Sequence, residues 1–110
     1  MILDILLELN TSAEPNKNGF VTEEALYNGL EKIEELDRLR VRGLMTVAAH
    51  QVEEKEIRIC FIRMRKLFDN LKKYRKNFNV LSMGMSGDFV EAISEGATHI
   101  RVGTSIFGER

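Results

Sequence analysis

The sequence predicts an α/β fold of four parallel strands alternating with helices, with residues 1–110 forming a single partial domain that is half of a larger one. Three observations predict it. The hydrophobic pattern switches repeatedly between the short runs of strands and the three-and-four spacing of amphipathic helices. The resulting order, β-α-β-α-β-α-β, implies a parallel sheet with right-handed crossovers. Four such units complete neither alternative, because a closed barrel needs eight strands and an open doubly wound sheet usually carries a fifth.

Residues 2–9 are a short apolar run that ends at Asn10 and enters a strand with no lead-in; a turn-rich stretch around Pro15 follows, to Gly19. Thr22 suits a helix N-cap, with Glu23 and Glu24 complementing the dipole and Leu26, Leu30 and Ile33 at helical spacing, so a helix is expected over about 22–36. Residues 40–47 form the second strand. The clearest helix carries Ile57, Cys60, Phe61, Met64, Leu67, Phe68 and Leu71 on one face, and Lys72, Lys73, Arg75 and Lys76 close it at the negative end of the dipole. A third strand is expected over about 78–83, a short helix over 87–95 with Gly96 beyond its end, and a fourth strand over 99–103.

With 44% hydrophobic and 30% charged residues, the chain has the composition of a soluble globular domain. A net charge of -1 argues against nucleic-acid binding, which needs a basic excess to displace counterions. No apolar run approaches a membrane span and no basic-then-apolar leader opens the chain. The single cysteine cannot form an internal disulfide, which fits the cytoplasm.

The chemistry gathers at the C-terminal end. Residues 81–88 join a strand to a helix through Gly84 and Gly87, with Ser86 suited to the N-cap, so that free backbone N–H groups could receive an anion. Taken alone, this segment is better explained as an ordinary capped helix start, because capping serines are common. Gly103, Thr104 and Ser105 repeat the theme after the next strand, with hydroxyls and a permissive backbone that can form a nest. Loops after the last two strands of a barrel are a common phosphate site. Alternation over 99–103 puts His99, Arg101 and Gly103 on one face and Ile100 and Val102 on the other. Arg101 then points away from the helices, where it requires a carboxylate or a ligand.

The run Leu-Ser-Met-Gly-Met-Ser-Gly-Asp, then Ala92-Ile93, Gly96 and Ile-Arg-Val-Gly-Thr-Ser-Ile-Phe-Gly, resembles the C-terminal signature of the pyridoxal 5'-phosphate homeostasis proteins (the YggS/PROSC family). Asn10-Thr11-Ser12 with Lys17 and Gly19, and Gly43-Leu44-Met45-Thr46, resemble earlier segments of that family in the same order. The resemblance implies the C-terminal half of an alanine-racemase-type (β/α)8 TIM barrel with pyridoxal 5'-phosphate at its mouth. It further implies that Ser86, Gly103 and Thr104 contact the phosphate, Arg101 faces the pyridine nitrogen, Met85 packs beside the ring and Asn10 lies near the cofactor.

In that family the Schiff-base lysine lies at an early strand end, in the half this chain does not match. The seven lysines here fall in a loop or in helix segments, so covalent attachment by this chain alone is not expected and binding should be weak and reversible. The reading is therefore a non-catalytic cofactor-handling protein. Its rivals are an amino-acid racemase or decarboxylase of the same barrel type, and a structural half-domain that works only as an assembly, such as a homodimer formed through exposed sheet edges. His50, His99 and Cys60 show no metal-ligand spacing, and Cys60 is expected in the core.

Overall fold

Apolar residues at every second position commit the strands to one shared buried face. The computed structural model describes residues 1–11, 19–47, 53–85 and 87–101. Within them the chain forms β1 (Leu3–Glu8), α1 (Glu23–Glu34), β2 (Leu39–Thr46), α2 (Glu54–Lys72), β3 (Val80–Met83) and α3 (Phe89–Ser94). The strands pair in parallel in sequence order, β1-β2-β3. Leu7, Leu44 and Leu81 lie directly opposite one another across the sheet, and all three are buried.

All three helices pack on that leucine face. Leu26 and Leu30 of α1, Phe61, Met64, Leu67, Phe68 and Leu71 of α2, and Ala92 of α3 join the strand leucines in one cluster. The reason is topological. Right-handed crossovers that always step in the same direction return every helix to the same side, whereas a doubly wound sheet reverses its order and covers both sides. By alternation Leu6, Gly43 and Val80, and beside them Glu8, Met45 and Ser82, occupy the opposite face. That face carries no helix among the described residues. At its N-terminal end Asp4 pairs with Arg40 at 2.6 Å and with Arg42 at 3.4 Å. The hydrogen bond from Arg40, aided by both positive charges, holds the Asp4 carboxyl below the usual carboxylate range.

Most element signals hold. The Thr22 hydroxyl accepts from the Ala25 N–H at 3.0 Å and caps α1. At the far end of α2, Arg75 donates to the Leu71 carbonyl oxygen at 3.2 Å and pairs with Glu34, so that cation closes the helix as its dipole favours. Gly96, at φ +101°, takes the left-handed position after α3. Its N–H donates to Ile93 O and the Ala97 N–H to Ala92 O, the paired bonds of a Schellman ending.

Four expectations need correction. The described residues hold three strands, not four: the stretch expected as the fourth contributes one parallel bridge, Ser82 to His99, and its last two residues lie outside the described set. Strand β3 starts at Val80, because Phe78 instead stacks on Phe68 at 5.5 Å within the core. Helix α3 starts at Phe89 with Asp88, rather than Ser86, at the N-cap. The Asp88 carboxylate turns back to accept the Met85 N–H at 2.6 Å, which closes a turn and delays the helix by two residues. Cys60 is half-buried and outside the core cluster; its thiol meets the Thr11 carbonyl oxygen at 3.6 Å.

Gly43 is fixed by a close approach. One extra residue, Arg42, bulges from β2 between the pairs Ile5–Val41 and Leu6–Gly43. A Cβ on Gly43 would lie 1.7 Å from the Val80 carbonyl oxygen, so only glycine lets β3 pair here.

Candidate functional site

In a parallel sheet every strand delivers its C-terminal end to the same edge, where loops with free backbone groups collect. The edge here is formed by Leu9, Asn10 and Thr11 after β1, Thr46 at the end of β2, Gly84 and Met85 after β3, and Arg101.

Arg101 arrives by way of Thr98, whose hydroxyl accepts the Leu81 N–H at 2.7 Å and aligns the returning chain beside β3. The Met83 N–H then donates to His99 O, and the Arg101 N–H to Gly84 O at 3.0 Å. Ile100 packs against the core, so His99 and Arg101 lie on the helix-free face, as the alternation predicts. The guanidinium crosses β3, and its Nη2 donates to the Thr46 carbonyl oxygen at 3.3 Å. Among the described residues Arg101 has no carboxylate partner, although it was expected to need one or a ligand. It meets the desolvation cost by remaining exposed.

Asn10 is buried at the end of β1, its N–H donating to Phe20 O at 2.7 Å, while Met85 is partly exposed beside Gly84. The structure therefore brings Asn10, Met85 and Arg101 to one edge. Ser86, Gly103 and Thr104 lie outside the described residues. Gly84 is required where it stands: φ is +102°, and a Cβ would approach the Ala92 Cβ to 2.5 Å.

Two threonines escaped the sequence reading. The Thr46 hydroxyl, fully buried, donates to Leu9 O at 2.7 Å, and the hydroxyls of Thr11 and Thr46 lie 2.9 Å apart. A threonine at the same strand parity as core Leu44 was the available signal, since a buried hydroxyl must find partners.

The donor set suits an anion. One exposed guanidinium keeps Nε and Nη1 without partners among the described residues, and a thioether stands nearby. Lys32, Lys55, Lys66 and Lys72 lie in helices, and Lys73 and Lys76 in the turn after α2. No described lysine reaches a strand end. Among the described residues no group of three His, Cys, Asp or Glu is placed to hold a metal, and no helix is long and apolar enough to cross a membrane.

Comparison with known proteins agrees with this architecture. The chain is 45% identical over 107 residues to the pyridoxal phosphate homeostasis protein of Helicobacter pylori, covering 97% of this chain and 46% of that protein. The chain thus spans about half the length of the curated relatives it matches. A crystal structure of an unknown protein from Bifidobacterium adolescentis superposes with a TM-score of 0.86 at 40% identity, over 97% of this chain and 44% of that one. PipY of Synechococcus elongatus PCC7942, with PLP bound, superposes with a TM-score of 0.78 at 33% identity, over 96% and 50%. The profile of the alanine racemase N-terminal domain matches residues 2–110, and the chain belongs to that family.

Proposed function

We propose that this chain forms the phosphate-and-ring side of a pyridoxal 5'-phosphate site, as the C-terminal half of a (β/α)8 barrel, and that it handles the cofactor without catalysing its chemistry. The observation that carries this reading is Arg101, a guanidinium held at the C-terminal edge of the sheet with no carboxylate beside it among the described residues. When bound, the cofactor supplies an electron-withdrawing ring and an aldehyde. Arg101 would face its pyridine nitrogen and keep a proton off that atom by like-charge repulsion. Ser86, Gly103 and Thr104 would hold the phosphate through hydroxyl and backbone donors. Helix α3 has six residues, so loop donors rather than a helix dipole would do this work. Met85 would pack beside the ring, and buried Asn10 would close the β1 side.

No described lysine stands at a strand end, so a racemase or decarboxylase would have to take its lysine and its second acid or base from outside this chain. A lone half-buried thiol suits a reducing compartment such as the cytoplasm.

The test is a titration of the purified chain with pyridoxal 5'-phosphate, followed by cofactor fluorescence. Saturable, reversible binding that weakens about tenfold in Arg101→Ala is expected, the scale of a lost charged hydrogen bond. Equal binding by the variant, or none by either protein, refutes the assignment; turnover of an amino acid refutes its non-catalytic part.

A second reading concerns assembly and rests on the helix-free sheet face with its half-buried Leu6 and Val80. In this reading the face closes against a complementary half-barrel, and in the isolated chain against a second copy.

A further inference from the structure

We propose that Thr46 is a positioning residue for Arg101, fixing the guanidinium where a ligand at the sheet edge would meet it. The inference rests on the cofactor reading only for its ligand; the positioning itself stands on this chain alone. Four hydrogen bonds carry it. Arg101 Nη2 donates to the Thr46 carbonyl oxygen at 3.3 Å. The Thr46 hydroxyl donates to Leu9 O at 2.7 Å, and its one proton being used there, it accepts the Thr11 hydroxyl at 2.9 Å. The Cys60 thiol in turn donates to Thr11 O at 3.6 Å.

Thr46 is the last residue of β2, where the ladder that orients a peptide plane runs out. Its side chain replaces that ladder, tying residue 46 to the end of β1 from the helix side, while its carbonyl serves Arg101. A valine would fill the same volume yet release the plane, and would leave Leu9 O without this donor. A serine would keep the hydroxyl. Arg101 is itself exposed and has no ion pair among the described residues, so this carbonyl is the restraint on its head group that the described residues supply.

Two measurements on the whole chain test the proposal. In 15N–1H spectra of the arginine side chains, the Arg101 guanidinium should show hindered rotation in the wild type and in Thr46→Ser, and free rotation in Thr46→Val. In pyridoxal 5'-phosphate titrations Thr46→Val should weaken binding about fivefold, the worth of roughly one hydrogen bond. Thr46→Ser should bind as the wild type does. In an Arg101→Ala background Thr46→Val should cost nothing further, because its effect passes through the arginine.

A freely rotating Arg101 in the wild type overturns the proposal, as does a Thr46→Val penalty undiminished by Arg101→Ala. If the guanidinium is hindered and Thr46→Val frees it, yet no protein binds pyridoxal 5'-phosphate, the positioning stands and the cofactor reading fails. Should Thr46→Val not fold, the Thr46→Ala variant, which also lacks the hydroxyl that ties residue 46 to Leu9 O, must loosen Arg101 for the proposal to survive.

Discussion

Asp4 and Arg40 meet at 2.6 Å on the helix-free face, both substantially exposed. Pairs of this kind contribute little at neutral pH, because solvent screens them and two side chains must be ordered. Their signature lies in acid. The Asp4 carboxyl is held below its ordinary range, first by the Arg40 hydrogen bond. A depressed folded-state pKa gives stability that is present above the unfolded value and disappears as pH falls through the folded one. The thermal midpoint of the wild type should therefore lie slightly above that of Asp4→Asn at pH 7, and this small gap should close as pH falls below about 4. A gap that persists undiminished at pH 2.5 would assign the effect to packing instead. Thr46 owes its place to strand parity. Its hydroxyl is placed by a strand register and serves a carbonyl from β1, so its role is set by partners 35 to 55 positions away.

Single elements show which signals a chain carries locally. Thr22→Ala should cost about 1 kcal/mol of stability in urea unfolding, the usual worth of an N-cap hydroxyl, and Thr22→Ser should restore most of it. Gly43→Ala is a harsher change, since the new Cβ would lie 1.7 Å from Val80 O and force β2 and β3 apart. A loss of about 3 kcal/mol or more is expected; wild-type stability would mean that the strands do not approach so closely. The contrast explains what was legible. The Thr22 cap, the stripe from Phe61 to Leu71 and the turn at Gly96 depend on residues within one helix, and each is readable from spacing. The Arg42 bulge, the capture of the Met85 N–H by Asp88 and the escape of Cys60 from the core depend on neighbouring elements. Of the six expected site residues, Asn10, Met85 and Arg101 reach one edge; the side that Arg101 takes was readable from strand alternation, whereas Asn10 and Met85 were expected from the family resemblance alone. Thr46 was missed because a hydroxyl's partners do not follow from periodicity.

At the scale of the molecule, the one-sided distribution of the described helices is the deciding feature. A sheet wound always in one direction leaves a face that must meet something else or remain wet. Sedimentation of the purified chain should give a mass above that of a monomer at tens of micromolar, and Leu6→Glu, on the uncovered face, should return it to the monomer. A monomeric wild type would remove the assembly reading while leaving the cofactor titration unaffected.

The consecutive pairing β1-β2-β3 also bears on how the chain is made. Each strand's partner is the next one to be synthesised, and each intervening helix packs into the same cluster. No strand described here has to wait for a distant partner, so every new βα unit can dock on a surface already formed as it leaves the ribosome. The bridge from Ser82 to His99 extends that series by one more step. The arginine at the sheet edge therefore comes to rest late, on a carbonyl whose strand was set before it.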